Sequence, residues 1–514
     1  MKSARMFPPE VIAATHACRT SAVWVILSLT ILPLLSGPSS GQDTTWTGGD
    51  GESWSDGTLW TNGVPTSTLT AVLDNGNTTV LSYGTMQVNG LLLGSTASSA
   101  GVLVLQGANL ATTSHSIVHV GDLGSGTLSI TNGGLLSSGS LSVGNSSGSS
   151  GTINLTGSGS TMTISGTLSL GAIGNSTLTV VNGGLVFSNN SYLAINSGSN
   201  ANVTISGTNS TWINSGNLVL GNSTVGGTGT INLVQNGTLN VTGTLQTGYS
   251  GNLVLNGGSL LAGGLSGNGT LQINSSPGSS CLTLGSASTA VFSGTIQGNL
   301  GVGALLKIGA GAQILAGNNT YGGGTTVQAG TLLATNTEGS ATGFGSVVVQ
   351  SGATLGGNGS VGWAGQAVTI QANGTLSPGC SPGVLTVLGD LNLETGALLN
   401  FEINDPASLT LLSDMVDVQG NLTLAEGILL DVSINQTYTT KLGDQWTLYE
   451  YAALSGNASD ITVRNLTSSL GDALDVSLSA DAHNLVMTVT AVPEPSTLAM
   501  LAGSGLIGGW IYVR

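Results

Sequence analysis

Charge is what this sequence has least of. Its 514 residues include 7 Lys and Arg and 23 Asp and Glu, which is 6% of the chain against roughly a quarter in ordinary globular domains. Aromatic residues make up 4%. Few side chains are left for acid–base work, metal ligation or phosphate binding, so most enzyme classes lack their raw material. The net charge of −16 argues against a nucleic-acid partner, which demands Lys and Arg to displace counterions. Cysteines number three, and Cys18 falls in an N-terminal leader. No CxxC and no Cys/His cluster is present, which disfavours a metal site or a disulfide scaffold. Spacing alone leaves open whether Cys281 and Cys380 pair. What the chain does have is 82 glycines and 40% hydrophobic residues, enough apolar surface to build a core and to argue against disorder.

The ends read as addresses. Lys2, Arg5 and Arg19 precede an apolar run over 22–35 and a small-residue zone ending at Gly41. That order marks residues 1–41 as a secretory signal peptide. At the other end, residues 497–513 are uncharged and closed by Arg514. Seventeen residues are the lower limit for a transmembrane helix, with the cation on the cytoplasmic side. Just before this span, Pro493, Glu494 and Pro495 form a stiff, exposed segment that can join neither helix nor sheet.

This tail resembles the PEP-CTERM sorting signal. Pro493, Glu494 and Pro495 match that family's motif, and the span with Arg514 matches its tail, although one Arg stands where the family usually has a cluster. Members are exported proteins of Gram-negative bacteria. The resemblance implies an exosortase-type membrane enzyme as processing partner, transient anchoring through residues 492–514, and delivery to the cell surface or extracellular matrix.

The middle is repetitive. Between Asn75 and Leu306 the one charged residue is Asp122. An apolar-x-apolar-Gly cassette recurs at 118–121, 141–144, 168–171 and 218–221, with a looser copy starting at Leu193. A second series of apolar triplets interleaves from 128 to 253 at a spacing near 25. Each cassette is a short strand with period-2 alternation, too short to be stable alone, and Asn-Gly pairs such as 132–133 and 182–183 supply left-handed turns. Such a unit must stack on copies of itself. The spacing predicts an all-β fold, a long right-handed parallel β-helix over 75–375 of roughly 12 rungs, about 55–60 Å long at the usual strand separation. An antiparallel sandwich or barrel array is the alternative, but it seldom keeps so even a spacing, and its edges need charge that is missing here.

The flanks carry a second resemblance. Trp46-Thr47-Gly48-Gly49-Asp50-Gly51 with Trp54 and Trp60, residues 315–327 with Gly330-Thr331-Leu332, and Ser377-Pro378-Gly379 are similar to autotransporter-associated β-strand repeat proteins, over about 45–489. That resemblance implies a β-helical passenger. Residues 42–74 are expected to form a Trp-rich N-terminal cap. Fourteen acids lie between Asp390 and Asp481 against Lys441 and Arg464, so 376–491 is read as an acidic β capping domain of mixed connectivity that stops the solenoid polymerising.

Candidate chemistry is thin. His115 and His119 would share one face of a strand with no third ligand, short of what zinc requires. Asp50, Glu52 and Asp56 could offer oxygens to calcium, but no full calcium-loop spacing appears, and a solvated loop is favoured. Asp414 and Asp417 could form a carboxylate pair, though an exposed turn is the plainer reading. Glycoside hydrolysis needs two neighbouring carboxylates and lyase chemistry a base with a cation, and the rungs supply neither.

The sequence therefore points to a non-catalytic, exported, structural or adhesive β-helix without cofactor or metal. Its expected partners are the exosortase-type enzyme, the membrane, and exopolysaccharide or other surface proteins. A polysaccharide lyase or hydrolase on the same scaffold is the first rival. A regular Thr array for ice or a crystalline polymer is the second. Thr161, Thr163, Thr177 and Thr179 suggest it but do not continue from rung to rung in the sequence.

Overall fold

A computed structural model of the chain describes residues 42–113, 116–222, 227–274, 281–285, 287–380, 382–406, 413–434, 438–464, 466 and 474–492. Among these, the helical turns are two 3-10 turns, Gly57–Leu59 and Ala458–Asp460. No helix of the described residues is long and apolar enough to cross a membrane. The described chain divides into two compact units, 42–326 with 342–345, and 327–341 with 346–492.

The first unit contains an eleven-stranded sheet running from Glu52–Ser53 to Thr295–Gly298. Ser125–Thr131, Ser150–Thr156, Asn175–Val181 and Asn200–Ser206 pair in parallel without a slip, Ser125 opposite Ser150, Ser150 opposite Asn175 and Asn175 opposite Asn200. Each strand begins 25 residues after the last, so the sequence spacing is the rung length. Inward positions stack like on like: Leu128 on Ile153, Leu178 and Val203, and Ile130 on Leu155, Val180 and Ile205, all fully buried. Burying each such side chain is worth about 1.5–3 kcal/mol, which one short strand realises only between two neighbours. The parallel pairing through 125–255 excludes the antiparallel array.

The turns hold a regularity finer than 25 residues. After Ser125–Thr131 and Asn175–Val181 come three-residue turns, 132–134 and 182–184, whose Asn132, Gly133, Asn182 and Gly183 have φ of 52°, 79°, 54° and 88°. After Ser150–Thr156 and Asn200–Ser206 come four-residue turns, 157–160 and 207–210. The serine closing each longer turn caps the shorter turn before it: Gly133 N donates to Ser160 Oγ (3.1 Å) and Gly183 N to Ser210 Oγ (3.0 Å). Rungs with the shorter turn also have a middle stretch one residue shorter, 135–143 and 185–193 against 161–170, and recover both residues at the last corner, 144–149 and 194–199 against 171–174. From 125 to 210 the turns thus alternate with a period of two rungs, hidden in sequence because the length differences cancel.

Those last corners explain the glycine of the cassette. Gly94, Gly121, Gly144, Gly171 and Gly221 all have φ between 62° and 71°, and a Cβ on Gly121 would lie 2.1 Å from Ser150 O. The looser copy is shifted by two residues from its expected start. Leu168 pairs with Ser191 and Leu170 with Leu193, so Ala194, at φ 48°, occupies the corner that glycine holds elsewhere.

The composition changes at 74 and 376 do not coincide with changes of pairing. Gln42–Thr45 lies parallel on Leu69–Leu73, so the Trp-rich segment is itself a rung; Trp46 and Trp54 pack edge-on against Trp60 at 5.0 and 4.7 Å. In the second unit, Gly330–Ala334, Ala353–Gly357, Thr375–Pro378, Leu398–Ile403, Ile428–Ile434 and Ile461–Arg464 form one parallel column. Inward apolar residues such as Phe401 and Val432 continue through this acidic stretch, and the alternation, not the charge, dictates topology. Apart from isolated bridges such as Trp46 with Trp60, antiparallel strand pairing among the described residues begins with the hairpin Asp475–Ala480 and Asn484–Ala491, which lies on Gln445–Ser455.

Candidate binding surface

The outward side of the eleven-stranded sheet is the most regular feature of the first unit. Alternation turns Thr127, Thr152, Thr177, Asn202, Thr230 and Asn252 to the outside, each the register partner of the one before. Two residues along each strand a second column runs through Ser129, Asn154, Thr179, Thr204, Asn232 and Val254. Neighbours sit about 4.8 Å apart across strands and about 6.6 Å along them. The expectation that threonines would not continue from rung to rung fails for this face, because Thr127, Thr152 and Thr177 are stacked and Thr179 adjoins Thr204. Thr161 and Thr163 belong to a different strand, Thr161–Leu170, where their register partners are Leu185 and Phe187.

Hydrogen bonding separates this face from the turns. Turn hydroxyls and amides are consumed within the protein, as Ser160, Ser210 and Asn217 illustrate. Among the described residues, the hydroxyls of Thr127, Thr152, Thr177 and Thr179 and the amide of Asn154 make no bond within the protein. Asn232 Nδ2 reaches Asn202 Oδ1 at 3.4 Å. The strands Ser125–Thr131 to Gly251–Asn256 contain no Asp, Glu, Lys or Arg.

The histidines do not converge on a metal. His115 lies outside the described residues. His119 is buried, with Nδ1 3.3 Å from Asp122 Oδ1 but not aligned as a hydrogen bond. Asn145 Nδ2 donates to Asp122 Oδ1 (2.8 Å), and Ser142 Oγ donates to Asn145 Oδ1 (2.9 Å), so the lone acid of these rungs joins two adjacent corners. Burial pushes the His119 imidazole below its ordinary pKa, while Asp122 pulls the other way.

The acidic candidates are occupied by backbone. Asp50 accepts from Thr78 N (2.9 Å), Asp56 from Thr58 N (2.9 Å), and Glu52 from Gly49 N. Hydrogen bonds from Thr78 and Thr58 hold the Asp50 and Asp56 carboxyls below the usual range. Asp414 and Asp417 are not an exposed pair. Asp414 is buried, accepting from Gly383 N (2.9 Å) and Glu402 N (2.7 Å), whereas Asp417 faces outward and accepts from Gln419 Nε2 (2.7 Å). Burial pushes the Asp414 carboxyl up to about 8 against the pull of those two N–H groups. Among the described residues no group of three or more His, Cys, Asp or Glu could hold a metal ion. Cys281 carries a free thiol and so is not bridged to Cys380. Pro493, Glu494, Pro495 and Arg514 lie outside the described residues.

Sequence reasoning missed two buried polar centres. Trp212 Nε1 donates to Ser188 Oγ (2.8 Å), and Ser188 and Ser191 both bond Asn214 Oδ1 (2.9 and 2.6 Å) inside the solenoid. Lys307 is fully buried, its Nζ donating to the carbonyls of Ile308 (2.7 Å) and Gly309 (2.8 Å), and burial pushes the ammonium down to about 8. Both lie on the inward parity of their strands, which is the signal that identifies them.

Comparison with protein families matches residues 305–334 to the passenger-associated-transport-repeat. Within that stretch Asn319 Oδ1 accepts from Ile296 N (2.7 Å), and the buried Tyr321 hydroxyl lies 2.6 Å from Thr325 Oγ1, which in turn donates to Thr342 O (3.1 Å). The repeat's polar residues therefore fasten its own corner. A search of the curated proteins finds no match.

Proposed function

We propose that this chain is an exported, non-catalytic β-solenoid of the passenger type, displayed at the cell surface or in the extracellular matrix, where its role is structural or adhesive. The observation that carries this reading is a passenger-associated-transport-repeat at 305–334 set among parallel β-solenoid rungs. Support for the absence of catalysis comes from the acidic candidates Asp50, Glu52, Asp56 and Asp414, which accept from backbone N–H groups. The antiparallel hairpin at 475–491 serves as the stop that keeps the parallel edge from pairing with another chain. Sorting depends on Pro493, Glu494 and Pro495 as the segment gripped by an exosortase-type enzyme, with the span to Arg514 as transient anchor.

Cell fractionation tests the reading. Wild type is expected at the surface or in the matrix, and Glu494→Ala in the inner membrane with its tail intact by mass spectrometry. Identical fractionation of the two would reduce the tail to an anchor. Polysaccharide turnover that disappears in Asp414→Asn or Asp417→Asn would replace the structural role with a lyase or hydrolase.

A further inference from the structure

We infer that the outward face of the eleven-stranded sheet, over the rungs from Ser125–Thr131 to Gly251–Asn256, binds a neutral, extended polysaccharide by hydrogen bonding. This deepens the surface reading above and rests on it. The first argument is electrostatic. With no ionisable side chain on this face and a net charge of −16 on the chain, a polyanion gains no contact and meets long-range repulsion. A neutral partner meets neither obstacle.

The second argument is chemical. Hydroxyls and side-chain amides both donate and accept, as sugar hydroxyls do, and those of Thr152, Asn154 and Thr177 have no bond within the protein to give up. Their exchange of water for ligand therefore loses nothing internal. Threonine is also stiff at χ1, and the ladder holds its neighbours in register, so little side-chain freedom is lost on binding.

The third argument is the lattice. Groups recurring at about 4.8 Å in one direction and about 6.6 Å in the other select a partner whose own hydroxyls recur along a straight chain. Each contact is weak, so affinity must accumulate along the ligand. Long chains should bind where short oligosaccharides do not. The same rungs present Leu185, Phe187 and Ile213 outward on another face, so the polar array is confined to one side. Ice is the other periodic partner a threonine ladder could meet. The amides of Asn154, Asn202 and Asn232 interrupt the row of methyls that ice would contact, and they favour the glycan.

The test uses the exported full-length protein in pull-downs with microcrystalline cellulose and insoluble β-1,3-glucan as neutral probes and calcium alginate as the anionic one. Wild type should be retained by at least one neutral glucan and not by alginate. Thr152→Lys with Asn202→Lys should weaken retention about tenfold or more, given several lost hydrogen bonds. Ser137→Lys with Asn240→Lys, on a different face, should not weaken it. Thr152→Val, Thr177→Val and Thr230→Val together remove hydroxyls but keep shape; this variant carries the test if the lysine variant does not fold. Failure of wild type to bind either glucan, equal loss in the control, or preference for alginate overturns the inference. So does inhibition of ice recrystallisation that survives the valine substitutions. A protein that reaches the surface without turnover yet ignores both glucans overturns this inference alone. One that stays in the cell overturns the surface reading, whatever it binds.

Discussion

Between Asn75 and Leu306 the chain carries one charged residue, Asp122, whereas between Asp390 and Asp481 it carries fourteen acids. Both stretches nevertheless build parallel rungs, and both use side-chain oxygens to cap backbone N–H groups of the next rung. In the neutral stretch the caps are amides and hydroxyls: Asn190 Oδ1 accepts from Asn217 N and Asn217 Oδ1 from Thr244 N, each at 2.9 Å. In the acidic stretch the same task falls to a carboxylate, Asp390 accepting from Asn421 N at 2.8 Å, while Asp481 caps its own hairpin turn by accepting from His483 N at 2.8 Å. The topology is indifferent to which is used. What changes is the response to pH and the character of the surface. Rungs capped by neutral groups leave a face free of charge, and rungs capped by carboxylates tie stability to their ionisation.

The largest expected effects come where backbone approaches backbone. Gly144→Val places a Cβ 2.2 Å from Asn175 O at a φ of 62°, and both problems must be relieved together. A loss of about 4 kcal/mol or more, read as failure to fold or a collapse of the denaturation midpoint, is expected. Ala194→Gly, at the equivalent corner, should change stability by less than about 1 kcal/mol. Equal effects at the two positions would show that the corner does not depend on glycine. Next in size is Trp212→Ala, which empties a fully buried site and removes one of the bonds to Ser188 Oγ, for about 3–5 kcal/mol in urea denaturation.

Titration divides the two stretches further. Asp414 has a folded-state pKa raised to about 8 from 3.8, so the folded state holds its proton more tightly than the unfolded one. Its contribution is fully present below about pH 4 and is lost as pH rises towards 8. Asp414→Asn should therefore gain on wild type in melting temperature as pH goes from 4 to 8. A constant difference would mean that the two N–H donors, not burial, govern this carboxyl. His119 shifts downward and acts with the opposite sign: its neutral form is favoured by folding, and stability falls on acidification below its ordinary value of 6.5. His119→Gln should flatten that acid limb in the neutral stretch, where the carboxylate beside His119 is Asp122. An unchanged limb would place the acid sensitivity in the carboxylate caps.

How much of this was legible in sequence follows from parity and period. The 25-residue register named the parallel ladder because residues such as Leu128, Ile153 and Leu178 recur in step. The two-rung alternation is hidden because the residues missing at 132–134 and 135–143 reappear at 144–149. Composition suggests an exposed turn for Asp414 and Asp417, although Asp414 shares parity with Val416 and Val418 and so belongs inside. The threonine ladder was missed because Thr127, Thr152 and Thr177 align only when strands are stacked, and Thr161 and Thr163, nearby in sequence, lie on another strand. The joining of Asp122 to Asn145 needed the corner geometry, which no spacing conveys.

The smallest expected effect concerns the one ion pair of Arg with an acid among the described residues. Arg464 Nη2 lies 2.6 Å from Asp431 Oδ2 across adjacent rungs of the acidic stretch, with the side chains 36% and 25% exposed. Solvent screens a pair this open, and holding a long arginine costs side-chain entropy, so about 1 kcal/mol or less is at stake. Arg464→Met should reveal that loss at low ionic strength, and about 1 M salt should erase most of it. The neutral stretch offers an internal control, since its Asn–backbone caps carry no net charge for salt to screen. A loss from Arg464→Met that salt leaves untouched would assign the effect to packing of the arginine stem over the last parallel strand. The acids of this stretch would then serve as turn caps, like the asparagines they replace, and not as partners for cations.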